Sequence, residues 1–212
     1  DMSEETRNPV NVIRLITRLI FVWFIREKGL IPEDIFDERK LGKLLRDFSP
    51  ESGTYYRAIL QNLFFATLNT TMKDRKFRDE KRYQKKNRSY MMHNCYRYRS
   101  CFRKPDRILK LLEKTPFLNG GLFECLDSEN PVIRIDGFSD RKDNELHLPN
   151  FLFFSESRSE DLNRDYGTRN RKYRICGLID LLKRYKFTIA ENTPVEEEIA
   201  LDPELLGRAF EN

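Results

Sequence analysis

The chain has little cysteine, little histidine and only a short run of uncharged apolar residues. Its four cysteines are too few for the disulfide framework of a small secreted domain. The uncharged run at residues 19–25 is far shorter than the roughly 18 residues that indicate a transmembrane helix. Nine glycines and nine prolines exclude collagen-like and disordered classes. No signal peptide is evident, so we expect a cytoplasmic protein.

The motifs of several enzyme classes are also missing. No G-x-S-x-G nucleophile motif occurs, and Gly120-Gly121 belongs neither to a phosphate-binding loop nor to a G-x-G-x-x-G sequence. One of the two histidines, His93, lies close to Cys95 and Cys101. This set lacks a fourth ligand at a spacing typical of zinc sites, so we predict no zinc site.

Residues 10–28 have the most apolar helical pattern of the chain. Asn8-Pro9 before them is typical of a helix start. Arg14 and Arg18 belong to one narrow polar arc, and the second half of the stretch is apolar on every side. We therefore predict a buried central helix in a mainly α, multi-helix domain.

Weaker patterns predict the rest of the fold. Helices are expected at 38–48, 54–68, 104–114 and 175–185, with a short helical turn at 32–36. Two β-like stretches, 132–135 and 145–148, are separated by turn-forming residues and predict a small β-hairpin insertion near 132–148. The polar residues 155–172 are expected to form a loop with a brief helical turn.

Positive charge is concentrated in residues 73–104, which we name the basic segment. It holds 13 lysines and arginines against three acidic residues, whereas the rest of the chain is net negative. Cations bind phosphates and exposed aromatic rings stack on bases, so this surface insertion is predicted to contact nucleic acid. The candidate residues are Lys73, Arg75, Lys76, Arg78, Lys81, Arg82, Lys85, Lys86, Arg88, Arg97, Arg99, Arg103 and Lys104, with Tyr96 and Tyr98 as stacking groups.

Two other interpretations stay open. The basic segment is also explained as a charged loop whose tyrosines pack onto the body and whose cations dock on another domain, which would make the chain a structural or protein-interaction module. A metal-dependent nuclease is the second alternative, because it needs carboxylates beside a lysine. Residues 136–145 offer Asp136, Asp140, Lys142, Asp143 and Glu145, although turn formation explains these carboxylates equally well.

Five segments of the sequence occur in an order that resembles a known family. They are LITRLIFVWFIREKGLIP (15–32), YYRAILQNLFFATLN (55–69), PFLNGGLFECLD (116–127), GLIDLLKRYKFTIAENTP (177–194) and ALDPELLGRAFEN (200–212). In that order they resemble the helical region that precedes the methyltransferase domain in large adenine-specific DNA methyltransferases. This family includes the type IIG restriction–modification enzymes and the phage-defence methyltransferases of the BREX type. The resemblance covers most of the chain, and residues 73–104 and 132–148 match least, as insertions would.

The resemblance implies a single helical connector domain over residues 1–212, cut from a larger bacterial enzyme. Residues 200–212 would begin the helix that leads into the catalytic domain. The family's N-P-P-Y/F motif and glycine-rich AdoMet loop do not occur in this chain, so no catalytic, cofactor-binding or metal-binding residue is implied here. AdoMet, and Mg²⁺ where the parent also cleaves DNA, would bind elsewhere in the parent. The implied partners are double-stranded DNA and the parent's own methyltransferase domain, without a membrane.

Overall fold

The computed structural model describes residues 4–78, 94–118, 121–129, 132–133, 135–139, 146–184, 186–188 and 198–200. Within these ranges the α-helices are α1 (Glu4–Glu27), α2 (Glu38–Leu44), α3 (Asp106–Leu111) and α4 (Leu178–Leu182). A π-helix, π1 (Tyr55–Leu68), lies between α2 and α3 in the sequence. Single turns of 3-10 helix occupy Glu33–Phe36, Met72–Asp74, Arg99–Cys101, Gly121–Phe123 and Asn150–Leu152.

The described strands form three two-stranded sheets. Two are antiparallel: β1 (Ser128–Glu129) with β2 (Val132–Ile133), and β3 (Arg158–Glu160) with β4 (Tyr173–Ile175). The third is parallel and joins β5 (Lys186–Thr188) to β6 (Glu198–Ala200). A helix-rich chain with small antiparallel hairpins agrees with the predicted mainly α class. None of the helices in the described ranges is long and apolar enough to cross a membrane.

Helix α1 begins earlier than the sequence predicts. It starts at Glu4, and Pro9 lies inside it rather than at its first position. The predicted start at Asn8-Pro9 is therefore wrong by about one turn. Proline removes one backbone hydrogen bond, and a helix tolerates this loss best close to its N-terminal end.

Burial divides α1 into two halves. In the first half Val12 and Ile13 are 54% and 63% exposed, so the apolar pattern there faces outward. In the second half Leu19, Val22 and Trp23 are almost wholly buried. The prediction of a helix buried at the centre of the domain is thus not confirmed over the first half of α1.

The π1 helix is the most buried long element of the described chain. Thirteen of its 14 residues are buried, and the remaining one, Arg57, is half-buried. A helix surrounded by other elements must be apolar on all sides or carry polar groups that find partners inside. Gln61 and Asn62 are of the second kind, since both bond to neighbouring backbone.

A small antiparallel hairpin includes Val132-Ile133, but its pairing differs from the predicted one. Val132-Ile133 forms a strand, yet its partner is Ser128-Glu129 on the N-terminal side, not residues 145–148. Residues 146–148 are not in a strand, and residues 140–145 lie outside the described ranges. Alternating apolar and polar residues in so short a stretch can indicate a strand, but they do not show which other strand pairs with it.

Tertiary pairing also shortens the predicted helices. Helix α2 ends at Leu44 because Leu45 forms a β-bridge with Phe102. Helix α4 covers only Leu178–Leu182, because β4 occupies the residues just before it. The helix that residues 200–212 are expected to begin cannot be compared, because residues 201–212 lie outside the described ranges.

Candidate functional site

The two described parts of the basic segment pair with each other, and the second part is also attached to the body. Tyr96 donates its N–H to the Lys76 carbonyl at 2.9 Å, and Arg78 donates to the Tyr96 carbonyl at 3.0 Å, so this pairing lies within the segment. At the C-terminal end of the segment Arg103 donates its N–H to the Leu44 carbonyl of the body at 3.0 Å, beside the Leu45–Phe102 bridge. The cations that flank these pairs are therefore held on a fixed surface.

The predicted contact residues fall into three groups. Five of them, Lys81, Arg82, Lys85, Lys86 and Arg88, lie outside the described residues. Five are exposed on the body, and we name this set the basic rim: Lys73, Lys76, Arg99, Arg103 and Lys104. The other five are half-buried or buried: Arg75, Arg78, Tyr96, Arg97 and Tyr98.

Arg75 is the clearest case of an inward-facing cation. Its guanidinium donates hydrogen bonds to the carbonyl oxygens of Thr67 at 2.8 Å, Leu112 at 3.0 Å, Thr70 at 3.2 Å and Pro116 at 3.3 Å. Burial lowers the pKa of this side chain. The end of a helix leaves carbonyl groups without helical partners, and Arg75 bonds to the last turn of π1 through Thr67. Its role in the described structure is to cap π1.

The aromatic residues of the segment pack into the body. Tyr96 is 1% exposed, its hydroxyl bonds to that of Thr67, and burial raises its pKa to about 12. Tyr98 donates its hydroxyl to Gln61 Oε1 at 2.8 Å and has a φ of 58°, in the left-handed region. Arg97 is 1% exposed and lies over the Phe138 ring. These positions match the alternative in which the tyrosines of the basic segment pack onto the body.

The sequence does not predict that Arg46 lies beside the basic rim. Its Nε donates to the Phe102 carbonyl at 3.0 Å, and Arg103 Nε donates to the Leu45 carbonyl at 2.8 Å. Each guanidinium thus bonds across the bridge to the opposite segment, and both residues are exposed. Arg46 belongs to a different predicted helix, so only the 45–102 bridge shows that it adjoins the basic rim.

A second polar cluster lies inside the body around Arg18 and Asp136. Arg18 Nη1 donates to Asp136 Oδ1 at 2.6 Å, and its other nitrogens donate to the carbonyls of Leu122 at 2.7 Å and Glu124 at 2.9 Å. Asp136 Oδ2 accepts the N–H of Leu126 at 2.8 Å. Arg18 and Asp136 are 2% and 4% exposed, so this is a buried ion pair with its hydrogen bonds satisfied.

The position of Asp136 bears on the nuclease alternative. That alternative names five residues, of which the structure describes only Asp136. The Asp136 carboxylate is already bonded to Arg18 and to a backbone N–H. The other four, Asp140, Lys142, Asp143 and Glu145, lie outside the described ranges. Across the residues that are described, no group of three histidine, cysteine or acidic side chains could hold a metal ion. His93 of the zinc alternative also lies outside them.

A cleft of about 570 Å³ opens between α2 and α4. Cations and carboxylates both line it, and Lys183 pairs with Asp180 at 3.3 Å. Burial, followed by the nearby charge of Asp180, raises the pKa of Glu38 in its wall. Such a mixed lining neutralises itself and does not select a ligand of either charge.

Comparison with known proteins finds a relative among restriction–modification proteins. The chain is 26% identical over 201 residues, 94% of its length, to an inferred type II restriction enzyme and methyltransferase from Methanocaldococcus jannaschii. The match covers 11% of that protein, so the chain spans about a tenth of the length of the curated relative it matches. No family model and no solved structure matches the chain. The likeness supports a relationship with restriction–modification enzymes.

Proposed function

We propose that the chain is a non-catalytic helical connector of an adenine-specific DNA methyltransferase or fused restriction–modification enzyme, and that its basic rim contacts the DNA backbone. The observation that carries the proposal is the extent of the likeness, which runs over 94% of this chain within a much longer protein. The chain as a whole then corresponds to one part of such an enzyme. Type IIG organisation and a role in phage defence belong to the same proposal.

The basic rim suits phosphate contact for a simple electrostatic reason. Lys73, Lys76 and Lys104 are exposed cations on a folded body. Arg103 is exposed as well, and so is Arg99, which lies 3.9 Å from the Asp106 carboxylate. Each cation that binds a phosphate releases a condensed counterion from DNA, which gives affinity without sequence reading. The proposed work of the chain is therefore to hold DNA and to space the neighbouring domains, and base recognition falls to other parts of the parent.

The proposal places the chemistry outside this chain. AdoMet, with Mg²⁺ if the parent also cleaves DNA, is assigned to the rest of the parent enzyme, because the N-P-P-Y/F motif and the glycine-rich loop do not occur in these 212 residues. Double-stranded DNA and the parent's methyltransferase domain are the proposed partners. The engagement of Asp136 with Arg18 supports a structural rather than a catalytic use of that carboxylate.

The salt dependence of DNA binding tests the proposal. The affinity of the 212-residue chain for a labelled DNA duplex is measured at several salt concentrations by fluorescence anisotropy. A triple variant, Lys73→Ala, Lys76→Ala and Lys104→Ala, is expected to flatten the slope of log affinity against log salt by about 0.9 for each phosphate that the variant no longer neutralises. The matched control removes the same charge from Lys28, Arg39 and Arg184, which are exposed elsewhere on the body.

Two outcomes would overturn the claim of DNA contact. One is the absence of duplex binding at about 50 mM salt, where electrostatic binding is strong. The other is an equal change of slope in the rim variant and in the control variant, because net charge alone would then explain the result. Either outcome would favour the alternative in which the basic segment docks on another protein domain.

A further inference from the structure

The β3–β4 hairpin forms a second basic surface that lies outside the basic segment. Its strands pair Arg158 with Ile175, Ser159 with Arg174, and Glu160 with Tyr173. The 12-residue connection between them, residues 161–172, is named here the hairpin loop. The sequence predicts a polar loop with a brief helical turn over 155–172, whereas the structure has strand β3 within this range.

Internal hydrogen bonds give the hairpin loop a defined shape. Asn163 Nδ2 donates to the Arg171 carbonyl at 2.8 Å, and Asn163 Oδ1 accepts the Arg171 N–H at 3.0 Å. The same oxygen accepts the Thr168 hydroxyl at 2.8 Å. Gly167 and Asn170 take left-handed φ angles of 62° and 56°, which glycine and asparagine adopt most readily. A loop held by its own side chains presents its surface residues at little further entropic cost.

The outer surface of the hairpin is rich in cations. Six basic residues are exposed: Arg158, Arg164, Arg169, Arg171, Lys172 and Arg174. Of the three acidic residues in the same stretch, Glu160 pairs with Arg158 at 2.9 Å and Asp161 bonds to the side chain of Asn163 at 2.5 Å. The hairpin loop itself holds four of the cations against two carboxylates, so it presents a net positive charge to a partner.

An exposed aromatic ring belongs to the same hairpin loop as four of these cations. Tyr166 is 65% exposed, the highest value among the large hydrophobic side chains described as exposed. Its ring lies 5.1 Å from that of Tyr173, centroid to centroid, and the Tyr173 hydroxyl bonds to Thr168 at 2.6 Å. Tyr173 thus packs against the Tyr166 ring, while most of the Tyr166 side chain remains exposed to solvent. Proteins hold single-stranded nucleic acid by combining aromatic rings that stack on bases with cations that contact the backbone, and the hairpin loop carries both kinds of group.

We propose that the hairpin loop binds a single-stranded or locally unpaired stretch of DNA, with Arg164, Arg169 and Arg171 on phosphates and Tyr166 stacked on a base. The inference rests on the proposed function for the class of partner and adds a separate site with a different preference. The basic rim, whose neighbouring tyrosines are packed into the body, offers phosphate contact alone. The hairpin loop offers phosphate contact together with stacking.

Paired single-strand and duplex probes test this inference. Labelled single strands and duplexes of about 20 nucleotides, long enough to cover such a site, are titrated with the whole chain. Tyr166→Ala is expected to weaken single-strand binding about tenfold and to leave duplex binding nearly unchanged. Tyr166→Phe, which keeps the ring, is expected to retain single-strand affinity. The triple variant Arg164→Ala, Arg169→Ala and Arg171→Ala should flatten the single-strand salt slope by about 2.

Several results would contradict the inference. Equal single-strand affinity in Tyr166→Ala and the unmodified chain removes the stacking claim, and an unchanged slope in the triple variant removes the phosphate claim. Circular dichroism and thermal melting confirm that each variant is folded. If the basic-rim variant loses duplex binding and the hairpin variants bind single strands normally, only the basic rim is supported. If the basic-rim variant binds duplex normally and the hairpin variants lose single-strand binding, only the hairpin loop is supported. Failure of one proposal is thus distinguished from failure of the other.

Discussion

Tyr55 and Tyr96 are both buried in the core, but their hydroxyl groups differ in hydrogen bonding. Both are at most 1% exposed. The Tyr96 hydroxyl bonds to Thr67, whereas within the described structure the Tyr55 hydroxyl finds no hydrogen-bond partner. Burial raises the pKa of both phenols, which keeps them neutral in the folded chain. A buried hydroxyl without a partner costs free energy that its ring must offset.

Replacing each tyrosine with phenylalanine tests this contrast. Tyr55→Phe is expected to leave the free energy of unfolding unchanged or to raise it by about 1 kcal/mol, because it removes an unsatisfied group. Tyr96→Phe is expected to lower it by about 1 kcal/mol, because the buried Thr67 hydroxyl loses its bond to Tyr96 and keeps only the one to the Asn62 carbonyl. Urea denaturation followed by circular dichroism measures both values. Equal losses in the two variants would contradict the explanation.

Glycine is required at position 177 because other backbone atoms approach its Cα closely, and not because of a positive φ angle. A Cβ built at this position would lie 2.4 Å from the Phe153 carbonyl oxygen and 2.6 Å from the Ser155 nitrogen. Both contacts are backbone atoms, which cannot turn aside as a side chain can. The N–H groups of Gly177 and Ile179 also donate to the carbonyls of Ser155 and Phe153, which fixes the approach.

An alanine at Gly177 is therefore expected to destabilise the fold by about 2–4 kcal/mol, in the range of other overpacked or strained sites. Gly42→Ala is the matched control, because a Cβ there meets nothing within 4 Å and Gly42 lies inside α2. The control is expected to stabilise the chain by about 0.5–1 kcal/mol through helix propensity. Thermal melting of the two variants should shift in opposite directions, and a shared direction would refute this account of Gly177.

At the scale of elements, Arg18 connects α1 to the segment that follows the Gly121–Phe123 turn. Its guanidinium reaches Leu122, Glu124 and Asp136. Gln61 Nε2 of π1 donates to the Asp136 carbonyl at 2.7 Å from the other side. The side chain of Asp127 accepts the N–H groups of Ile135 and Asp136, which shapes the same loop. Three elements that are distant in sequence are thus joined through one buried carboxylate and its backbone.

Breaking this connection should be costly. Arg18→Met keeps an unbranched apolar stem but removes the close cation from the buried Asp136 carboxylate and the donors from the Leu122 and Glu124 carbonyls, so a loss of about 3–5 kcal/mol is expected. Arg14→Met is the control, because Arg14 lies 3.8 Å from Asp136 and is more exposed; its loss should stay below about 1 kcal/mol. Urea denaturation compares the two. Similar losses in both variants would show that Asp136 does not depend on Arg18.

At the scale of the whole molecule, the fold separates a well-packed body from two basic surfaces. The core cluster includes side chains from α1, α2, π1, α3 and α4. The basic rim and the hairpin loop lie on the outside of this body, and the Arg18–Asp136 pair lies within it. Under the proposed function, these two surfaces hold DNA while another domain carries out the chemistry.

The proposed division of labour predicts how the chain behaves alone. Titration calorimetry of the 212-residue chain with AdoMet should give no binding heat, whereas the same sample should bind a DNA duplex at low salt. A DNA duplex incubated with the chain, AdoMet and Mg²⁺ should be neither methylated nor cleaved. AdoMet binding by the chain would contradict the connector assignment, and Mg²⁺-dependent cleavage would favour the nuclease alternative at residues 136–145.

Periodicity of apolar residues determined the helical stretches of this protein. The pattern at 10–28 corresponds to α1, because an α-helical turn places residues three and four apart on one face whatever surrounds it. The pattern at 54–68 also located a helix, π1, but did not indicate its wider π-helical turn. The sequence also determined where positive charge is concentrated. Which of those charges face solvent did not follow, because Lys76 and Arg75 are adjacent and alike in charge yet differ in exposure.

Only the tertiary structure decided the partners. The carbonyl oxygens that bind Arg75, the strand that pairs with Val132-Ile133, and the Arg18–Asp136 contact all join residues whose pairing no local pattern specifies. The same is true of Tyr166, whose exposure depends on Asn163 and Tyr173 shaping its loop. Local patterns report the conformation of a segment, whereas burial and pairing depend on the neighbours that folding brings to it.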